Sequence, residues 1–211
     1  MAGGRFITFE GGEGTGESTQ IEALARWFNE RGREVVVTRE PGGTPIAEAI
    51  RAILLDPDLA PDGVVELFLY EAARRDHVEK LVRPALDRGA VVLCDRFADS
   101  SLVYQGLARG VGWDRVVRLN ELATGGLEPD LTLVFDMEAE SAVGRARDRN
   151  TATTLRESRF DDEPDDFHHR VREGYRELAR RFPDRVRVID AGGDPGTVFA
   201  RILEALEEVT G

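Results

Sequence analysis

Five short apolar runs recur along this chain, and helix-like stretches fill the gaps between them. The runs are RFITFE (5–10), EVVVT (34–38), AVVLCD (90–95), LTLVFD (131–136) and RVRVID (185–190). Helical periodicity covers 17–31, roughly 44–55, 63–88, 113–123, 138–149, 164–182 and 196–209. Short strands that are apolar throughout are buried on both faces, which implies a parallel sheet with a helical layer on each side. The pattern therefore predicts a three-layer α/β fold. At 211 residues and 41% hydrophobic content the chain can bury a full core, so one domain over 1–211 is expected.

Charge narrows the ligand classes. Forty Asp and Glu stand against 28 Lys and Arg, a net of −12. That balance repels DNA and anionic membranes, whose binding depends on neutralising phosphates, so neither is expected as a partner. Lys80 is the only lysine, so a small phosphorylated ligand would need a pocket built from arginine. No run of 18 apolar residues is present, and MAGGRFITFEGG enters a strand without the apolar stretch of a signal peptide. Cys94 is the only cysteine, which suits a cytoplasmic protein. The histidines show no zinc spacing; His168 and His169 fall in a polar helical stretch and are expected to be solvated.

In parallel sheets ligands sit beyond the carboxyl ends of the strands. The first run ends at Glu10, and GGEGTGES then turns the chain into a helix. Gly11, Gly16 and Ser18 match the phosphate-binding pattern GxxxxGK[ST], except that Glu17 stands in the lysine position. Glycines at 11, 12, 14 and 16 let backbone N–H groups curl around a phosphate, with Thr15, Ser18 and Thr19 completing the stretch. Ser18 is placed to ligate Mg²⁺. Taken alone, the stretch is equally a glycine-rich strand-to-helix turn without a ligand.

Further segments favour a ligand. TREPGGT (38–44) follows the second run, FLYEAARRDHV (68–78) lies on the long intervening helix, and DRFADSSLVYQG (95–106) follows the third run. In this order and spacing the chain resembles the thymidylate kinase family from about residue 5 to 208. The resemblance implies a P-loop nucleoside-monophosphate-kinase fold with a five-stranded parallel sheet and a mobile lid at about 145–163. It also implies transfer of a phosphoryl group from ATP to dTMP with Mg²⁺, in a homodimer, with the apolar face of the 63–88 helix as the expected interface.

The resemblance assigns roles residue by residue. Arg96 would hold the dTMP phosphate by a bidentate fork, and Arg39 would be a second contact to it. Asp95 would organise Mg²⁺ with Ser18. Pro41 would shape the loop near the base, Tyr70 would stack on thymine, and Arg74 would bond its polar edge. Tyr104 would lie under the deoxyribose, with Ser101 and Gln105 bordering the base. Glu13 sits where the family often carries an acid near the transferred phosphate. Among the arginines of 145–161, Arg159 and then Arg149 are the candidates to reach the phosphates. Each has a plainer alternative: an ion pair for Arg96, core packing for Tyr70, a solvated face for the arginine run. Two functions remain: a thymidylate kinase in which Glu17 impairs the donor site, or a nucleotide-binding protein without turnover.

Overall fold

The structure is a computed structural model that describes residues 3–12, 15–59, 61–137, 160 and 163–210. Its strands are β1 (Arg5–Gly11), β2 (Val35–Arg39), β3 (Val91–Asp95), β4 (Leu131–Asp136) and β5 (Val186–Asp190). They form one sheet in the order β2-β3-β1-β4-β5, with every neighbouring pair parallel. This is the expected three-layer α/β architecture.

Side-chain parity along β1 builds the two helical layers, because successive residues of a strand point to opposite faces. Ile7 and Phe9 enter one core with Leu24 and Phe28 of α1 (Glu17–Asn29) and with Ile202 of α8 (Pro195–Thr210). On the other face lie α3 (Gly63–His77) and α7 (Asp165–Arg181), joined through Leu67, Val103, Val171 and Leu178. Burying each such side chain contributes about 1.5–3 kcal/mol. Thr8 and Glu10 project into this second layer too, where Thr8 meets Thr132 across 2.9 Å.

Three local features depart from the sequence reading. The expected helix 63–88 is broken: α3 passes through a π-helical turn (Val78–Val82) into α4 (Arg83–Asp87). Pro84 has no N–H to give an i−4 carbonyl, and the wider turn absorbs that loss. Second, residues after β3 form α5 (Ala98–Ser101), continued by a π-helical segment (Leu102–Ala108), where periodicity indicated no helix. Residues 101–106 are all buried, so the segment has no polar face from which a helical period could be read. Third, His168 is buried, and its Nε2 has no hydrogen-bond partner among the described residues, whereas His169 is exposed. Position 168 shares the inner face of α7 with Val171 and Tyr175, so the expectation of a solvated His168 was wrong.

The remaining helices are α2 (Pro45–Leu55) and α6 (Trp113–Thr124). The helix expected over 138–149 lies outside the described residues. No helix among the described residues is long and apolar enough to cross a membrane.

Candidate active site

A cleft opens where β1, β2 and β3 end, at Gly11, Arg39 and Asp95. The strand order reverses beside β1, which is where ligands bind in such sheets. The turn from β1 into α1 is built on glycine. Gly16 caps α1 at φ +95°, a conformation only glycine adopts without strain, and no side chain caps the helix there. A Cβ on Gly11 would meet the Thr15 Oγ1 at 2.7 Å and the Glu17 Oε1 at 2.8 Å. The Glu17 carboxylate therefore folds back against the loop rather than outward. Burial pushes it above the ordinary carboxylate range; Arg96 opposes that shift and Asp95 adds to it. Ser18 and Thr19 are exposed on the first turn, and Ser18 and Glu17 both line the cleft. Thr15 is buried, with its hydroxyl donating to the Gly12 carbonyl at 3.2 Å. Glu13 and Gly14 lie outside the described residues, as do Arg149 and Arg159.

Within an acidic protein, this cleft is lined by four arginines (39, 51, 74 and 96) against three carboxylates (17, 40 and 95). Arg39, at the end of β2, is paired with Glu48 at 3.2 Å. The Gly43 N–H chiefly holds Glu48 below the usual carboxylate range, with Arg39 assisting. Pro41, reached through a cis Glu40–Pro41 peptide, offers its carbonyl to Arg51 at 2.9 Å. Tyr70, Tyr104 and Gln105 line the same space, and Asp95 stands at its edge.

Arg74 is buried and saturated. Its Nε donates to Glu40 at 2.8 Å, its Nη1 to Glu71 at 2.7 Å and Asn120 at 2.9 Å. Its Nη2 donates to the Phe97 carbonyl at 3.2 Å and to Ser101 at 3.0 Å. All five N–H groups thus have protein partners, so a bond to a base would have to be shared with one of these. Ser101, expected beside the base, is buried and accepts from Arg74. Gln105 donates to Glu66 at 2.6 Å from the cleft wall.

Arg96 has φ +65°, a left-handed conformation that costs a non-glycine residue on the order of 1–3 kcal/mol. Three bonds flank it: its N–H to the Phe9 carbonyl at 2.9 Å, the Cys94 thiol to the Arg96 carbonyl at 3.0 Å, and the Phe97 N–H to Glu10 at 2.8 Å. Its guanidinium reaches the Gly11 carbonyl at 2.9 Å and the Tyr104 hydroxyl at 3.3 Å. Burial, reinforced by Asp99, pushes the Glu10 carboxyl up to about 8.

The motif reading missed several residues that meet here. Arg51 is the only basic residue of α2, a signal visible in PIAEAIRAILL. Glu10 is an acid inside an apolar run. Glu40 and His77 form a buried chain, with Thr38 Oγ1 to His77 Nε2 at 2.8 Å and His77 Nδ1 to Glu40 at 2.9 Å. Ser100 lies within DRFADSSLVYQG but was given no role, and Tyr175 and Phe160 were not singled out; Phe160 packs edge-on to Tyr104 at 5.7 Å between ring centres.

Known proteins place this arrangement. The family model described as thymidylate kinase matches residues 9–202. A thymidylate kinase from Geobacter sulfurreducens is 53% identical over 205 residues, covering 96% of each chain. One from Desulfosudis oleivorans is 48% identical over 209 residues, covering 97% of each. A crystal structure of thymidylate kinase from Ehrlichia chaffeensis superposes with a TM-score of 0.76 at 31% identity, over 97% of this chain and 99% of that one. With fold, cleft and motif order in agreement across nearly its whole length, the chain belongs to the thymidylate kinase family.

Proposed function

We propose that this chain is an ATP:dTMP phosphotransferase whose acceptor site is intact and whose donor site is impaired by Glu17. The observation that carries the reading is the convergence of Arg39, Arg51, Arg96, Tyr70 and Tyr104 on one cleft beside the P-loop. Arginine forks suit a nucleotide phosphate, and the two tyrosines supply flat apolar surface for base and sugar. Arg51 joins Arg39 and Arg96 as a phosphate contact. Arg74 and Ser101 border the base edge, with Gln105 beside them and Pro41 shaping the loop.

Ser18 and Asp95 line the same cleft and present a hydroxyl and a carboxylate, the hard oxygen donors that Mg²⁺ takes. They would hold the ion together with nucleotide phosphates, and the ion would neutralise charge developing on the transferred group. Glu13, Arg149 and Arg159 complete the proposed catalytic set as acid and lid arginines of a lid at about 145–163. We further propose a cytoplasmic homodimer.

At the donor side a lysine would bridge the β- and γ-phosphates, whereas Glu17 sets a carboxylate against the loop that should cradle them. Two unit charges 4 Å apart are worth about 4 kcal/mol at an effective dielectric near 20, so replacing attraction by repulsion is a matter of several kcal/mol. A coupled ADP-release assay with ATP, Mg²⁺ and dTMP tests this. Glu17→Lys is expected to raise kcat/KM for ATP at least about a hundredfold, roughly 2.7 kcal/mol of transition-state stabilisation. Its effect on dTMP affinity should be small. Rapid turnover by the unaltered chain would sink the donor-site impairment. Absence of turnover in both chains, with dTMP still bound, would favour the second reading, a nucleotide-binding protein without catalysis.

A further inference from the structure

Arg96 must hold a strained backbone and a fixed guanidinium at once, and one buried carboxylate reaches both. Glu10 is the penultimate residue of β1, with its side chain in the α7 layer, fully buried. One oxygen accepts the Phe97 N–H at 2.8 Å, fixing the peptide that follows Arg96. The other accepts the Ser100 hydroxyl at 2.5 Å and the Tyr175 hydroxyl at 2.8 Å. The Tyr175 oxygen in turn lies 3.4 Å from the Arg96 Nη1, the donor of that contact, and 3.1 Å from Ser100. Tyr175 is 2% exposed and comes from α7, 165 residues along the chain from Glu10. A single line of donors therefore runs from Arg96 through Tyr175 to Glu10.

We propose that Tyr175, anchored on Glu10, is a positioning residue that orients the Arg96 guanidinium toward the acceptor's phosphate; the proposal rests on the acceptor reading above. The physical case has three parts. Hydrogen bonds in a buried chain polarise one another, so donating to a Glu10 carboxyl oxygen makes the phenol oxygen a better acceptor for the guanidinium. The carboxylate cannot turn away, because the Phe97 N–H and Ser100 hold it from two sides. Without the phenol, the left-handed turn at Arg96 would keep its backbone bonds while its Nη1 lost one acceptor and kept the Gly11 carbonyl and Tyr104 among its partners. Arg96 would remain in place but swing more widely. Binding of a phosphate would then have to restrict that motion.

The test uses dTMP and thymidine, which differ by the phosphate alone, in calorimetric titrations of the full chain. Tyr175→Phe is expected to weaken dTMP about tenfold while leaving thymidine affinity and the thermal midpoint near those of the unaltered chain. Ser100→Ala removes the other hydroxyl donor to the same Glu10 oxygen. It is expected to act in the same direction and serves if Tyr175→Phe fails to fold. Arg96→Ala sets the scale for complete loss of phosphate recognition. Equal weakening of dTMP and thymidine in Tyr175→Phe would make the phenol a packing group and overturn the proposal. So would unchanged dTMP affinity in Tyr175→Phe alongside a large loss in Arg96→Ala, which would leave the acceptor reading standing. If the unaltered chain fails to prefer dTMP over thymidine, or Arg96→Ala changes nothing, the acceptor reading falls and takes the proposal with it.

Discussion

Arg74 illustrates how far a residue's chemistry depends on what surrounds it. On the sequence it stands four positions after Tyr70, on one helix face, as a contact for a base. In the fold it is 1% exposed and joins Glu40, Glu71, Asn120, Ser101 and the Phe97 carbonyl. Burial pulls its guanidinium down, but Glu71 and Glu40 more than reverse this and hold it above its ordinary range. Such a pair is costly to bury yet far more costly to halve, because a lone charge is then left without water or partner. Arg74→Met is accordingly expected to cost about 3–5 kcal/mol of folding stability, measured by urea denaturation without ligand. A loss below about 1 kcal/mol would mean that Glu40 and Glu71 do not need it, and would return Arg74 to the ligand.

At the scale of an element, β1 is a strand whose last residues serve two layers. Its odd positions pack on α1 and α8, while Glu10 carries a carboxyl into the layer of α5 and α7. Burial and Asp99 raise that carboxyl to about 8 from an ordinary 4.5. The folded state thus keeps a proton that the unfolded chain has already released. Stability from this group is full below about 4.5 and is lost as pH rises through about 8. Glu17 and Glu71, also raised by burial, act in the same direction. The thermal midpoint of the unaltered chain is therefore expected to fall between about pH 5 and pH 9, and that of Glu10→Gln to fall less. Parallel slopes for the two chains would show that Glu10 does not hold the proton.

Across the whole molecule, α2, α3 and α6 leave apolar surface uncovered. Ile46 and Ile53 on α2, Val64, Val65 and Phe68 on α3, and Leu122 on α6 are all exposed, Phe68 by 56% and Leu122 by 75%. These helices pack side by side, α2 on α3 and α3 on α6, so the exposed residues belong to neighbouring elements. Apolar groups gathered in this way fit the proposed homodimer better than scattered surface residues do. Sedimentation at micromolar concentration is expected to give twice the 23.4 kDa chain mass. Phe68→Glu, which would bury a charge at such a contact, is expected to give the monomer. A monomeric unaltered chain would remove the dimer.

What the sequence determined by itself was whatever repeats or turns locally. Unbroken apolar runs specified the strands, because a strand covered on both faces shows no alternation. Glycine at 11 and 16 specified the loop into α1, because a Cβ there would strike Thr15 and Glu17 or force a left-handed backbone. The acid at 17 was legible for the same reason, as a departure from a local pattern. The helical segment 98–108 was not, since its stretch 101–106 is buried throughout and has no period to reveal it. Nor were the partners of the buried polar groups. Glu10 meets Phe97 and Tyr175 across 87 and 165 residues, and Arg74 meets Glu40 across 34. Those partnerships depend on which faces the sheet order brings together, and on the cost of leaving a polar group without a partner once it is taken from water. Those partners meet only in the assembled fold, so only the tertiary structure decided which side chains surround Arg96.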